Sequence, residues 1–186
     1  MKRQSLFLDT EFTNLNQKSE LISLGIVAER GERFYAEFSD FEAESANLWV
    51  KENVIARLSM AEKRAGYVEF INENARKIKG DKLFVRDELE KFLALFDAVE
   101  FWADCGAYDW VLFCELWGGS MNLPKQVSYM PMDLVTLLRI KGLDPDISRE
   151  EFVKEKIADM GVENKHHALW DAQILQLCHH KLMTEY

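Results

Sequence analysis

The sequence is poor in cysteine and has no apolar run that approaches the roughly 20 residues needed to cross a membrane. Its three cysteines, Cys105, Cys114 and Cys178, are widely spaced and form no C-x-x-C pair. This spacing argues against a disulfide framework and a structural zinc site, and it predicts free thiols in a reducing compartment. The N-terminus leads into a predicted strand without an apolar signal core, so we expect a cytoplasmic protein with no membrane partner.

Positive charge is also scarce. The 186 residues include 23 Lys and Arg against 32 Asp and Glu, which gives a formal net charge of −9. This balance argues against tight, non-specific binding to duplex nucleic acid, because such binding neutralises many phosphates. It does not exclude an enzyme that acts on nucleic acid, since a cluster of catalytic acids recruits cations.

Internal repeats, low-complexity tracts and linkers are absent too, so we predict one α/β domain over residues 1–186, with a mixed β-sheet flanked by α-helices. Strands are predicted at 6–12, 20–29, 32–38 and 98–104, with a hairpin at Gly31. Apolar spacings of three and four residues predict helices at 47–58, 60–78 and 86–96, with Ser59 as the N-cap of the second. Further helices are predicted at 107–117, from near 131 or 133 to 142, and at 167–182, with a strand or loop at 126–130 and a charged segment at 148–160.

Two acids share one face of the first predicted strand, LFLDTEF. Asp9 and Glu11 are two residues apart, so both side chains leave the same face about 7 Å from each other. Like charges in this arrangement repel unless a cation lies between them, and hard divalent cations prefer carboxylate oxygens. The alternative is that the strand simply ends here and both acids face solvent.

Asp109 lies in a segment whose neighbours are almost all large and apolar, FWADCGAYDWVLFCELW. A helix that is apolar nearly all round is a buried helix, and an aspartate within it is costly without a counter-charge or a metal. The alternative is that Asp109 caps the start of the helix and binds backbone N–H groups.

The last predicted helix carries a third acid beside its packed stripe. Ala168, Ala172 and Leu175 are spaced as i, i+4 and i+7, and Asp171 borders this stripe. His166 precedes Asp171 by five residues, at the start of the helix, where it can lean over the same site. The alternative is that His166 and His167 form a polar loop at the N-terminal end of the helix.

Together these stretches supply four carboxylates and one histidine at the edges of core elements. Two Mg²⁺ ions would balance the four negative charges, as a two-metal phosphoryl-transfer site requires. A histidine has a pKa suited to accepting a proton from the attacking water near neutral pH.

The order D-T-E-F-T-N-L, Tyr108-Asp109 and His166-x4-Asp171 resembles the three motifs of the DEDDh 3′–5′ exonucleases, a branch of the ribonuclease-H-like superfamily. The motifs bracket residues 9–171, and HALWDA is similar to the H-x-A-L-x-D-A of that family. Within the branch, the segments ELISLGIVAE and GAYDWVLFCELWG are most similar to the small exoribonucleases first described from mycobacteria. One departure is Asp104, where many relatives have Asn.

The resemblance implies a role for each motif residue. Asp9 would bridge two Mg²⁺ ions, for which Mn²⁺ can substitute; Glu11 and Asp171 would bind the ion that carries the attacking water. Asp109 would serve the other ion, and His166 would be the general base. Five residues are assigned to substrate binding, with the last two of the first motif at the terminal nucleotide: Thr10, Phe12, Tyr108, Thr13 and Leu15.

The resemblance also implies hydrolysis from the 3′ end to nucleoside 5′-monophosphates, with RNA favoured as the nucleic-acid substrate, and a homodimer. A DNA exonuclease and an oligoribonuclease are alternatives on the same site; a catalytically silent nucleic-acid-binding module and a wholly structural protein are alternatives of another class. The densest basic cluster is interpreted either as a solvated helix end or as a phosphate track: Arg76, Lys77, Lys79 and Lys82.

Overall fold

One mixed sheet organises the chain, of which the computed structural model describes residues 3–157 and 165–186. Within these residues the sheet has seven strands in the order β4-β5-β3-β2-β1-β6-β7. β1 pairs antiparallel with β2, and β2 with β3, whereas β1–β6, β6–β7 and β3–β5 are parallel. The strands are β1 Gln4–Phe12, β2 Leu21–Ala28, β3 Arg33–Phe38, β4 Tyr67–Asn72, β5 Ala75–Gly80, β6 Val99–Ala103 and β7 Met132–Asp133.

Helices cover both faces of this sheet, which confirms the predicted α/β class. They are α1 Leu48–Asn53, α2 Lys82–Leu93, α3 Ala107–Glu115, α4 Leu134–Ile140, α5 Arg149–Phe152, α6 Lys154–Ile157 and α7 Ala168–Thr184. The last three residues of the predicted charged segment, 158–160, lie outside the described residues. In the described part of the chain, no helix is both long enough and apolar enough to cross a membrane.

The predicted helix at 60–78 is wrong. This segment forms the antiparallel hairpin β4–β5, and β5 also pairs in parallel with β3. The aromatic and β-branched run that follows Gly66, which has a φ of +84°, favours a strand, and pairing with the sheet overrides the helical spacing. Ser59 is therefore not an N-cap; its hydroxyl donates a hydrogen bond to Glu37.

Alternation along β1 divides the core into two layers. Leu6 and Leu8 are buried in the cluster formed with α2 and α3. Phe7 is buried on the opposite face, in the cluster formed with α4, α5 and α7. Because side chains alternate along a strand, Asp9 and Glu11 share the face of Phe7, and Thr10 shares the face of Leu8.

Gly25 lets α7 approach the sheet closely beside this end of β1. It is the register partner of Asp9 on β2. A Cβ built on Gly25 would lie 2.3 Å from the carbonyl carbon of Ala168, so a larger residue could not be accommodated without movement of backbone. The first turn of α7 therefore rests on β2, which brings Asp171 toward Asp9.

Candidate active site

The first motif lies at the C-terminal end of β1. Asp9 and Glu11 are half-buried and line one cavity of about 590 Å³. Among the described residues, neither carboxylate accepts a hydrogen bond. The sheet thus presents two acids to the cavity without supplying the donors that normally accompany buried carboxylates.

The third motif reaches the same cavity from the first turn of α7. Asp171 lies in this turn, and His166 precedes it with a φ of +65°. Side-chain ligand atoms of Glu11, His166 and Asp171 lie within 4.8 Å of one another. This set of two carboxylates and one imidazole has the donor atoms of a divalent metal site.

Asp109 approaches from α3 and is almost fully buried. Its Oδ1 accepts hydrogen bonds from the backbone N–H and the hydroxyl of Thr10, at 2.9 and 2.8 Å. The N-cap of α3 is Gly106, so Asp109 does not cap the helix, although it does bind a backbone N–H group, that of Thr10. Thr10 therefore ties the second motif to the first, and Asp109 also lines the cavity.

Four of the five residues assigned to substrate binding surround this opening. Thr10, Phe12 and Leu15 line the cavity, and the side chain of Leu15 is 74% exposed. Tyr108 stacks on Phe12 with ring centroids 5.8 Å apart and donates a hydrogen bond to the carbonyl of Leu15. Thr13 is fully buried, and its hydroxyl accepts a hydrogen bond from the backbone of Glu20, so its side chain lies away from the cavity.

The acids of the cavity raise one another's pKa values. Burial and then the charges of Asp171, Asp109 and Glu11 hold the pKa of Asp9 well above its usual range. Burial and the same kind of repulsion raise the pKa of Glu11 to about 8, and burial raises that of Asp171 to about 7. The cluster thus opposes full ionisation of its own carboxyl groups, and a bound divalent cation would favour their ionised form.

The histidine has the opposite shift. Burial, with the nearby charges of Lys165 and Arg57, lowers the pKa of His166 and so favours the neutral imidazole. The edge of the His166 ring meets the ring of Trp49 at a centroid distance of 4.8 Å. Neutral imidazole is the form that accepts a proton or binds a metal.

Two residues of the cavity wall, Arg149 and Glu150, were not predicted from the sequence. Arg149 forms a two-pronged ion pair with Asp104, and Glu150 pairs with Lys165, the neighbour of His166. Asp104 was visible as a departure from the family pattern. Arg149 had no signal beyond its place in a charged segment, because its partner is 45 residues away in sequence.

The basic cluster does not form the end of a helix, so that interpretation is wrong. Arg76, Lys77 and Lys79 belong to β5, and only Lys82 begins α2. Arg76 lies over the ring of Phe70, and the ammonium of Lys79 donates to two backbone carbonyls, so the four cations do not form one continuous track.

The structure thus has the mixed, helix-flanked sheet of the predicted α/β class, with the four acids of the motifs around one cavity. Residues 4–183 match the 3′–5′ exoribonuclease Rv2179c-like domain. The chain belongs to this family of 3′–5′ exoribonucleases.

The relatives agree with this membership. The 3′–5′ exoribonuclease Rv2179c of Mycobacterium tuberculosis strain H37Rv is 33% identical over 155 residues, which cover 82% of this chain and 84% of the relative. The 3′–5′ exoribonuclease MT2234.1 of strain CDC 1551 matches to the same extent. Among solved structures, the Neurospora crassa Pan2 catalytic unit (protease and nuclease domain) is similar with a TM-score of 0.49 and 15% identity, over 97% of this chain and 27% of that chain.

Proposed function

We propose that this chain is a metal-dependent 3′–5′ exoribonuclease that removes nucleoside 5′-monophosphates from the 3′ end of RNA, in single strands or 3′ overhangs. The observation that carries the proposal is the convergence of five side chains on one cavity, from β1, α3 and the start of α7. They are Asp9, Glu11, Asp109, His166 and Asp171. Family membership supports the reaction direction and the substrate class.

The four carboxylates would hold two Mg²⁺ ions, with Asp9 between them, Glu11 and Asp171 on one and Asp109 on the other. Bound ions would supply activation of the attacking water and stabilisation of the leaving oxygen. The raised pKa values of Asp9 and Glu11 support this assignment, because they reflect burial and then the charges of neighbouring acids, without compensation from protein donors. Mn²⁺, which also favours oxygen ligands, would substitute.

His166 would act as the general base. Its lowered pKa favours the neutral form that can take a proton from water, and its ring nitrogen lies within 4.8 Å of carboxylate oxygens that would hold the metal. The same closeness suits a metal ligand, so the two roles must be separated by experiment. His166→Ala should reduce kcat far more than it weakens Mn²⁺ binding; equal loss of both would make His166 a ligand.

The terminal nucleotide would lie against Phe12 and Leu15. Tyr108 holds both residues, since its ring stacks on Phe12 and its hydroxyl donates to the carbonyl of Leu15. Thr10 would act through Asp109, to which it donates two hydrogen bonds. For Thr13, a contact through the backbone is compatible with its buried side chain. We further propose that residues 1–186 act as one exonuclease domain, as a homodimer in the cytoplasm.

The decisive experiment is digestion of matched labelled RNA, DNA and overhang substrates with and without Mg²⁺, with Asp9→Asn as the blank. Mg²⁺-dependent shortening of RNA from the 3′ end, abolished in Asp9→Asn, is the expected result. Faster digestion of DNA would favour the DNA exonuclease. Retained RNA binding without hydrolysis at any metal concentration would identify a silent binding module.

A further inference from the structure

The short helix α5 forms part of the cavity wall and carries two adjacent, opposite charges. Arg149 and Glu150 are its first residues, and both line the cavity. Each pairs with a partner from a different part of the chain. Arg149 pairs with Asp104, which follows β6, and Glu150 pairs with Lys165, which precedes His166.

The link from Arg149 to the second motif is extensive. Its Nε and Nη2 donate to the two carboxylate oxygens of Asp104 at 2.7 and 2.9 Å, and Nη2 also donates to the carbonyl of Pro145 at 2.9 Å. The Nη1 group donates to the carbonyl of Ile147. A guanidinium held by this many acceptors fixes both the residues before α5 and the end of β6, which leads into the helix of Asp109.

The link from Glu150 to the third motif runs through an ion pair with Lys165. Its Oε1 lies 2.9 Å from the ammonium of Lys165, and its Oε2 accepts a hydrogen bond from the hydroxyl of Ser148 at 3.0 Å. The side chain of Glu150 is 23% exposed and that of Lys165 is 51% exposed. The hydrogen bond from Ser148 fixes the orientation of the Glu150 carboxylate, which then receives the more exposed ammonium group of Lys165.

Two further contacts anchor α5 to α7, which carries Asp171. The ammonium of Lys181 donates to the carbonyl of Phe152 at 2.8 Å, and the thiol of Cys178 contacts the carbonyl of Arg149. Phe152 itself is buried in the core cluster that α7 shares. These contacts fix α5 to α7.

His166 needs such support because of its backbone. Its φ of +65° lies in the left-handed region, which costs free energy for a residue other than glycine and persists only where the surroundings impose it. Trp49 contacts one side of the ring, and the preceding residue, Lys165, is held by Glu150.

We propose that α5 is a positioning element of the active site, in which Arg149 and Glu150 together fix His166 relative to the strand end that leads into the second motif. This inference rests on the proposed function, because it takes His166 as the base. Displacement of such a group by about 1 Å can lower a rate by about 100-fold, so a modest surface ion pair can affect kcat strongly while it affects stability weakly.

The test is a double-mutant cycle on the pair that holds His166. Glu150→Gln and Lys165→Gln should each lower kcat on a labelled RNA oligonucleotide about tenfold, and the double variant should lose about tenfold as well, because the two residues act as one unit. Their melting temperatures should change by no more than about 3 °C. The matched control is Glu151→Gln on the same helix, whose pair with Lys154 faces solvent and lies outside the cavity wall; it should keep the wild-type kcat.

Other outcomes would overturn the inference. Additive losses in the double variant, or a wild-type kcat for Glu150→Gln, would mean that the pair does not position His166. Weaker Mn²⁺ binding in Glu150→Gln, measured by calorimetry, would make Glu150 a metal ligand. A higher KM confined to Lys165→Gln would make Lys165 a phosphate contact.

The second link has its own test. Asp104→Asn keeps a hydrogen-bond acceptor for Arg149 but removes the negative charge. Arg149→Lys keeps the positive charge but removes the paired hydrogen bonds of the guanidinium. Arg149→Lys should lower kcat at least tenfold, with a smaller loss in Asp104→Asn. Wild-type rates in both variants would overturn this half of the inference.

If wild-type protein fails to digest RNA, the proposed function fails together with the inference. If wild type is active, Asp9→Asn is inactive and the α5 variants are unaffected, only the inference fails.

Discussion

Glu37 and Glu11 lie in one register row of the sheet, on either side of Ser23, yet their surroundings differ completely. Glu37 is fully buried and accepts hydrogen bonds from the Tyr35 hydroxyl at 3.0 Å and from the backbone N–H of Met60 at 2.9 Å. Glu11 opens into the cavity and, among the described residues, has no donor.

The difference separates a structural acid from a functional one. A buried carboxylate that receives several hydrogen bonds is stabilised by the protein itself. Asp9 and Glu11 have raised pKa values and no such donors, so a bound cation would stabilise their ionised forms where the protein does not. Two acids in one register row, separated by β2, should therefore differ in how their stability depends on metal, and this contrast can be measured.

The largest expected effect comes from Asp9→Asn. It should reduce RNA hydrolysis by about 1,000-fold or more, because the bridging position would lose its charge. In EDTA, however, the same variant should unfold at a higher temperature than wild type, since Asn removes an acid whose ionisation burial and the neighbouring acids oppose. Melting curves with and without Mn²⁺ check this. A variant that is less stable than wild type in EDTA would show that Asp9 is a structural acid like Glu37.

Glu37→Gln should give the reverse pattern. Loss of the charged acceptor for Tyr35 and Met60 should cost about 1–3 kcal/mol of the free energy of unfolding, with kcat close to wild type in the folded protein. Urea unfolding and steady-state kinetics measure the two quantities. The matched control is Glu69→Gln, because Tyr67 and Glu69 repeat the Tyr35–Glu37 contact on the exposed strand β4. If both variants lose equal stability, burial is not what distinguishes Glu37.

Gly25→Ala tests the packing that brings α7 to the acids. The added Cβ would lie 2.3 Å from the backbone of Ala168, so the first turn of α7 must move away from β2. We expect a loss of about 1–3 kcal/mol in stability and of about 10- to 100-fold in kcat, because Asp171 and His166 move together. Assays well below the melting temperature separate the two losses. An unchanged kcat would mean that the spacing between Asp9 and Asp171 is not critical.

The sequence was sufficient for the elements that carry a strong local pattern. The strands of the first 38 residues, the strand that ends at Ala103 and the last helix are confirmed, because each has apolar periodicity bounded by polar residues. The β4–β5 hairpin has conflicting local signals, helical apolar spacing and a β-branched, aromatic run, and its pairing with β3, about 40 positions away, decides between them.

The acids of the site could be predicted because their order along the chain resembles three motifs of a known exonuclease family, and the structure places them around one cavity. The donors to Glu37 and the ion pairs of α5 could not, because any Glu or Arg can form such contacts and only the folded chain decides which do. Thr13 shows the limit of motif reasoning, since its side chain is buried against the backbone of Glu20.

The smallest expected effect leaves every acid in place. Tyr108→Phe removes the hydrogen bond to the carbonyl of Leu15 but keeps the ring stacked on Phe12. A single hydrogen bond of this kind contributes about 0.5–1.5 kcal/mol, so the KM for RNA should rise about two- to tenfold while kcat changes little. The control is Tyr129→Phe, an exposed tyrosine outside the cavity wall, which should behave as wild type. A fall in kcat without a change in KM would instead place the Tyr108 hydroxyl among the groups that act on the reacting phosphate. The functional groups of the cavity would then include a tyrosine in addition to the acids.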